Sequence, residues 1–358
     1  RDVMPEQAAM KCMIALEQAR NQGHSHGTRI FLEVAEGQRF FELSISRSTS
    51  TSAREQEEVD PKESFLVLSR DVTEIVNQER VLEYEARLNA ALLEVESHVA
   101  TEDEPALLRH GVELAQKLTG SQVAHIYFVA EDQLSLQLTA WSTTTMTGYC
   151  TSSADKSFIV NQAGSWAEAL RHRVPVMING VAQDADETDL PLGKTHLSRV
   201  ISVPVIDGGK VRMLLGAGNK SQDYTSQELE GLQILSNALW NKVLRHRQQA
   251  SIRRLSAAME QNPYSVIITD PQGNIEYVNP AFTKISGYSP EEVLGRNPSM
   301  FKSEQTPSQA YRDLWDHMTR GLPWRGELIN RRKDGSIYTE QSLIYPIRDA
   351  SGRIVNFL

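Results

Sequence analysis

The feature that most constrains this chain is a long stretch in its second half that carries helical spacing and lacks helix breakers. A capping box at Thr225 and Glu228 opens the stretch, and apolar residues recur at helical spacing from Leu229 onward. From Leu232 to Met259 there is no proline or glycine. Because an uninterrupted helix of about 30 residues is well above the mean of about 12, we predict a connector that joins two domains.

The length of the chain agrees with this division. At 358 residues it exceeds what one hydrophobic core usually serves, and about 150 residues per domain predicts roughly two to three domains. Its hydrophobic content of 40% and charged content of 23% are ordinary for folded protein. Wholesale disorder is therefore excluded.

Charge and cysteine content exclude several classes of partner and site. The net charge is −9 and the basic residues are scattered, which argues against a nucleic-acid partner. Cys12 and Cys150 lie far apart with no second thiol near either, so neither a disulfide framework nor a cysteine-based zinc site is supported. No apolar run reaches about 18 residues. We therefore expect no membrane contact in this segment and a cytoplasmic location.

A shorter segment offers a second connector, at residues 77–100. Val81, Tyr84, Leu88, Ala91 and Val95 recur at alternating steps of three and four residues, which is the spacing of a short coiled coil. The same pattern also fits an amphipathic helix that packs on its own domain. Barely two heptads are present, so both interpretations stay open.

Motifs near the end of the chain carry a specific resemblance. Residues 266–275 read VIITDPQGNI, residues 287–292 read GYSPEE, and residues 330–335 read NRRKDG. With NPAF at 279–282 and WRGE at 324–327, these runs closely resemble the PAS family. The resemblance implies a PAS domain over residues 255–358 that stops at its last strand.

Two further regions resemble known sensory modules. Residues 199–205 read RVISVPV and residues 215–220 read LGAGNK, which resembles a GAF domain and implies one over residues 84–247. Residues 1–76 end in RDVTE at 70–74 and resemble the C-terminal half of a PAS domain. The expected fold class is α+β, with antiparallel sheets flanked by helices and connectors at 77–100 and 237–260.

The resemblance implies a function in bacterial signal transduction. We expect a sensory segment that binds a small ligand and relays its state through paired helices, as a homodimer, to an output domain in cis. A diguanylate cyclase or phosphodiesterase is favoured as that output, with a histidine kinase as the alternative. Another reading is a ligand-free dimerisation or docking platform. The chain carries no nucleophile elbow, phosphate loop or metalloprotease motif, so we expect no catalytic residue and no metal site within this segment.

Four residues are the predicted cofactor site of the C-terminal PAS region: Trp324, Asn330, Asn279 and Trp315. In flavin-binding redox sensors of the family a tryptophan often precedes the Asn-Arg-Arg-Lys run, and this makes FAD the candidate cofactor. If Leu328 faces inward then Asn330 does too, and its amide could pair with the edge of a flavin ring. The alternative is that Trp324 is a core aromatic and Asn330 bonds the backbone. Pro298 stands where the light-sensing flavin class carries its adduct cysteine.

A second predicted site lies in the GAF region and comprises Trp141, Trp166, His196 and Arg199. A cyclic nucleotide, a linear tetrapyrrole and an unspecified small molecule compete as its ligand, with Arg199 offering a planar fork to a carboxylate or phosphate. The alternative is two core tryptophans and two surface polar groups.

Asp71 and Thr73 form a third predicted feature. The resemblance makes them the signal-relay joint between a sensor sheet and the helix that leaves it. Physically, Asp71 can cap that helix, and both roles are compatible.

Overall fold

The computed structural model describes residues 4–34, 37–48, 64–97, 103–143, 157–159, 167–180 and 198–358. The chain divides into two compact units, Arg1–Val243 and Leu244–Leu358. Both combine antiparallel sheets with helices, so the predicted α+β class is confirmed. Within the described residues, no helix is both long enough and apolar enough to cross a membrane.

The first elements of the chain are a helix and a three-stranded antiparallel sheet in the order β1-β2-β3. Small side chains let α1 lie close to this sheet, since Ala15 and Ala19 pack with Ile45 in one buried cluster. Gly23 ends α1 with a φ of 85°, as its position after the last helical turn predicts. The bounds are α1 Glu6–Gln22, β1 His24–Val34, β2 Gly37–Ser48 and β3 Ser64–Asp71.

The next two helices, α2 (Thr73–Ser97) and α3 (Glu104–Thr119), cover one face of a larger sheet. Tyr84, Ala91 and Val95 of α2 are buried in the core beneath that sheet, so α2 is an amphipathic helix packed on its own unit. A Cβ at Gly231 would lie 2.1 Å from the Tyr84 hydroxyl, and this contact explains a glycine inside a helix.

The larger sheet has six antiparallel strands in the order β6-β5-β4-β9-β8-β7. Its bounds are β4 Val123–Val129, β5 Ser135–Trp141, β6 Ser157–Ile159, β7 Val176–Asn179, β8 Arg199–Asp207 and β9 Lys210–Gly218, with the short helix α4 at Glu168–His172. Gly208 and Gly209 both have positive φ and turn the predicted β8–β9 hairpin. One sheet face packs on α2, α3 and the long helix α5 (Ser226–Glu260), and the other carries a second apolar cluster that includes Tyr127 and Leu214.

Helix α5 covers the segment that the sequence predicts as a connector and runs from Ser226 to Glu260, over 35 residues. Leu232, Leu239 and Val243 are buried against the larger sheet. Beyond them the helix turns apolar side chains outward, since Ile252 is 67% exposed and Leu255 is 66% exposed. The uninterrupted sequence therefore does form one long helix, as predicted.

The second unit contains a four-stranded sheet, β11-β10-β15-β14, and a hairpin, β12-β13. Only Tyr345 separates β13 from β14, and its backbone exchanges two hydrogen bonds with that of Leu358, of 2.8 and 2.9 Å. The hairpin thus continues the sheet through a bend. The strands are β10 Ile267–Thr269, β11 Ile275–Val278, β12 Trp324–Arg331, β13 Ile337–Ile344, β14 Pro346–Arg348 and β15 Ile354–Phe357. The helices are α6 Pro280–Ser286, α7 Pro290–Val293, a 3₁₀ turn Pro298–Phe301 and α8 Ser308–Thr319.

Candidate functional site

One face of the β12–β13 hairpin gathers two of the predicted cofactor residues. Trp324, Leu328 and Asn330 are all buried, and the exposed residues alternate with them along β12. The register sets Asn330 opposite Tyr338 and Leu328 opposite Glu340. We call this the inner face, and it places the Asn330 amide next to apolar surface, as the alternation predicts.

The inner face is only partly covered by the rest of its unit. Tyr338, Glu340 and Ser342 are all half-buried. The unit also has two separate apolar clusters, one around Phe282 and Phe301 and the other around Trp324. Within the described part of the chain, the buried hydroxyls of Thr269 and Tyr311 have no hydrogen-bond partner. Unpaired buried hydroxyls are costly, and Tyr311 packs against the Trp324 cluster, so this part of the interior favours a further polar contact.

Glu340 is the inner-face residue that sequence reasoning missed. Its Oε1 accepts hydrogen bonds from Asn330 Nδ2 at 2.8 Å and from Ser342 Oγ at 3.2 Å. Burial raises the pKa of the Glu340 carboxyl above its usual range, against the lowering effect of these two bonds. Burial also raises the pKa of Tyr338 to about 12. We call Asn330, Glu340 and Ser342 the polar cluster.

The two tryptophans of the predicted cofactor site differ in burial. Trp324 is 3% exposed, packs with Leu314 and Leu328, and donates from Nε1 to Asp313 Oδ2 at 3.0 Å. Trp315 on α8 is 48% exposed. Trp324 is thus part of the buried inner face and Trp315 is not.

Asn279 has backbone partners in place of the ligand contact expected from the sequence. Its Oδ1 accepts from the amides of Val266 and Phe282, at 2.9 and 3.0 Å. Its Nδ2 donates to the carbonyls of Tyr264 at 2.9 Å and Met259 at 3.2 Å, with Asn262 O at 3.3 Å. Because main-chain groups occupy both ends of the amide, Asn279 is the joint that ties the end of α5 to the sheet and to α6.

Two residues of the predicted GAF site lie on opposite faces of the larger sheet. Trp141 packs on the Tyr127 cluster. Arg199 directly precedes Val200, a member of that cluster, so its side chain lies on the opposite face of the sheet. There its Nε pairs with Asp223 Oδ1 at 2.8 Å. The guanidinium fork is therefore not turned toward Trp141. Trp166 and His196 lie outside the described residues.

A row of small and polar residues crosses the Trp141 face of the sheet. The strand registers set His125, Gly216 and Ser202 side by side on β4, β9 and β8. A Cβ at Gly216 would lie 2.4 Å from His125 Nε2, so only glycine leaves room for the imidazole. Burial lowers the pKa of His125 to about 4, which keeps the ring neutral at physiological pH. His125 therefore adds no positive charge to the Trp141 face of the sheet.

The predicted relay residues Asp71 and Thr73 form a compact joint at the start of α2. Asp71 Oδ1 accepts from the Thr73 amide at 2.9 Å and from the Thr73 hydroxyl at 2.6 Å. Thr73 Oγ1 in turn accepts from the Phe40 amide of β2 at 2.9 Å. The hydrogen bonds from Thr73 lower the pKa of Asp71, and Arg39 adds a weaker contribution. The first sheet and α2 are thus tied together at this point.

Comparison with known families identifies both larger regions. The GAF domain family matches residues 101–243 and the PAS domain family matches residues 263–358. The described residues of the larger sheet lie in the first match, and the inner face lies in the second. Both match sets agree with the resemblance found in the sequence.

Individual relatives match parts of the chain. The nitrogen fixation regulatory protein of Klebsiella oxytoca is 38% identical over 100 residues, which is 28% of this chain and 20% of that protein. The methyl sulfide methyltransferase-associated sensor of Methanosarcina acetivorans is 29% identical over 206 residues, 56% of this chain and 20% of that sensor. The matched region thus spans a fifth of the length of each relative.

Solved structures also match the C-terminal region. The LOV domain from the Erythrobacter litoralis EL346 blue-light activated histidine kinase is 28% identical, with a TM-score of 0.26. The match covers 27% of this chain and 92% of that domain.

Proposed function

We propose that this chain, which contains a GAF domain at residues 101–243 and a PAS domain at residues 263–358, is a sensory segment that binds a ligand on the inner face of the PAS domain. Its relatives carry the names of regulators and sensors. We further propose that residues 1–76 are the C-terminal half of another PAS domain and that the segment acts in the cytoplasm. Its output domain in cis is a diguanylate cyclase or phosphodiesterase, with a histidine kinase as the alternative.

The polar cluster on the half-covered inner face carries the proposal. Asn330 and Glu340 offer a donor and acceptors beside the apolar side chain of Leu328, and Ile344 lies farther along the same face, opposite Trp324. A flat ring with one polar edge, such as the isoalloxazine of FAD, matches this mixture of surfaces. When bound, a flavin supplies electron-transfer chemistry and a visible absorbance. The residues present therefore fit a flavin: Asn330 and Glu340 would hold its polar edge, and Leu328 would contact its apolar rings.

The relay begins where the PAS sheet holds the end of α5. Asn279 bonds the Met259 carbonyl, and the Tyr277 hydroxyl donates to Glu260 Oε1 at 2.7 Å. A ligand that shifts the sheet would therefore act on the last turn of α5. Ile252 and Leu255 are exposed on that helix at coiled-coil spacing, which supports a homodimer with a second copy of α5.

The visible spectrum of the purified chain tests the ligand proposal. After incubation with FAD and removal of the free cofactor, the chain is expected to absorb near ~450 nm, a property of the flavin itself. Asn330→Ala removes a buried donor and is expected to weaken FAD binding by roughly five- to 150-fold, since a buried group left unpaired costs about 1–3 kcal/mol. Arg331→Ala is the matched control, because Arg331 is the exposed neighbour on the same strand.

Two results would count against a flavin at this site. A chain that stays colourless at saturating FAD leaves the platform function, with dimerisation through α5 and no ligand, as the better account. Equal FAD affinity in the two variants would show that the flavin binds somewhere other than the inner face.

A further inference from the structure

The polar cluster contains a carboxyl group without a basic partner. Asn330 and Ser342 both donate to the same oxygen of Glu340, Oε1. In the described part of the chain, no hydrogen bond reaches the second oxygen, Oε2, and no lysine, arginine or histidine pairs with the group. An ionised Glu340 would therefore carry an uncompensated charge on the half-covered inner face.

The charged and titratable groups around the cluster are engaged elsewhere. On the same hairpin, the Arg332 guanidinium lies over the Tyr338 ring, 4.5 Å from its centroid. On the helical side, the Lys302 ammonium lies over the Tyr311 ring, 4.3 Å from its centroid. Burial, the largest influence on Glu340, raises its pKa. Further loss of water around Glu340 would therefore favour its neutral, protonated form over the ionised carboxylate.

We propose that ligand binding at the inner face is coupled to the uptake of one proton by Glu340, an inference that rests on the proposed ligand-binding function. A ligand that covers the polar cluster removes the remaining water from the carboxyl group. Burying an ionised carboxylate without a partner costs far more than burying the neutral acid. The proton comes from solvent and binds Oε2, which then donates a hydrogen bond to an acceptor on the ligand.

This arrangement also selects the chemical class of the ligand. A carboxylate or phosphate placed against Glu340 would add a second negative charge beside a carboxyl group that no cation of the described residues pairs with, which is unfavourable. A neutral ring edge with a carbonyl oxygen accepts the bond from protonated Oε2. The polar cluster therefore takes an uncharged heterocyclic edge, and any anionic part of the ligand lies away from it.

The pH dependence of FAD binding tests the coupling. We would titrate the full chain with FAD by fluorescence quenching, at several pH values between about 5 and 9. If binding takes up one proton, the Kd of the unaltered chain rises by up to about tenfold per pH unit above the pKa of free Glu340. Glu340→Gln is neutral and nearly isosteric, so its Kd is expected to stay low and flat across this range.

A matched control and a set of distinct outcomes make the test decisive. Glu327→Gln alters an exposed glutamate of β12 and is expected to keep the slope of the unaltered chain. If the chain takes up no FAD at any pH, both the flavin proposal and this coupling are overturned. If FAD binds with the same slope in Glu340→Gln, or if affinity rises with pH, only the coupling is overturned and the ligand site stands. Thermal melts of each variant confirm that the fold is retained.

Discussion

Asn279→Ala is expected to destabilise the PAS domain by about 3 kcal/mol or more, because the loss of a helix cap costs about 1 kcal/mol and each buried group left unpaired costs about 1–3 kcal/mol. The side chain is 1% exposed, so water cannot easily replace its contacts. Its removal leaves the amides of Val266 and Phe282 and the carbonyl of Tyr264 without this hydrogen-bond partner. Native-state hydrogen exchange of β10 and β15 measures the loss as faster exchange in those strands.

Asn297 provides a control of the same residue type in the same domain. Its Oδ1 accepts from the Ser299 amide, which caps a short 3₁₀ turn, and its Nδ2 donates to the Gly273 carbonyl, so it makes two hydrogen bonds where Asn279 makes five. Asn297→Ala is expected to cost about 1 kcal/mol. If the two variants lost the same stability, Asn279 would not be the joint between α5 and the sheet.

Trp324→Ala is expected to cost about 3–5 kcal/mol, the range for removing a large aromatic side chain from a core. The ring packs with Leu314 and Leu328 and its Nε1 bonds Asp313. Removing it would leave a cavity in the smaller apolar cluster of the domain. Calorimetry that resolves the PAS transition measures the change.

The second tryptophan of the C-terminal domain serves as the comparison. Trp315 is 48% exposed on α8, so Trp315→Ala is expected to change stability far less than Trp324→Ala. A Trp324→Phe variant keeps an aromatic ring and loses the bond to Asp313, and it should fall between the two. Equal losses for Trp324→Ala and Trp315→Ala would contradict the anchoring role of Trp324.

The long helix and the domain families could be predicted from sequence because each rests on local signals. The absence of breakers after Leu232 and the capping box at Thr225 and Glu228 are enough to place α5. In the structure Glu228 indeed accepts from the Thr225 amide at 2.9 Å, and it also pairs with Lys220 at 2.5 Å. The ion pair joins residues from different elements and lies beyond a local pattern.

Asn279 carries a local sequence signal for a helix cap as well as the resemblance that predicts a ligand contact. An asparagine followed by proline at the start of a helix is typical of an N-cap with proline at the first helical position. The structure has this cap, with Asn279 before Pro280. Only the bonds to the end of α5 required knowledge of the tertiary structure.

Glu340 was missed because its position depends on the register of a hairpin. Asp334 and Gly335 suggest a two-residue turn, but the last strand pair is Arg331 with Ile337, so the connection is longer. A change of one residue in register moves every side chain to the other face. The face on which Arg199 lies could not be predicted for a related reason. Its strand is buried on both faces, so the sequence pattern does not indicate which face each side chain joins.

Ligand binding at the PAS inner face is proposed to change the stability of the last turns of α5. Amide hydrogen exchange with and without FAD tests this effect most directly. Bound FAD is expected to slow exchange in β12 and β13 and also in residues 244–260, where Asn279 and Tyr277 hold the helix end. A chain that binds FAD while exchange in residues 244–260 stays unchanged would contradict the relay.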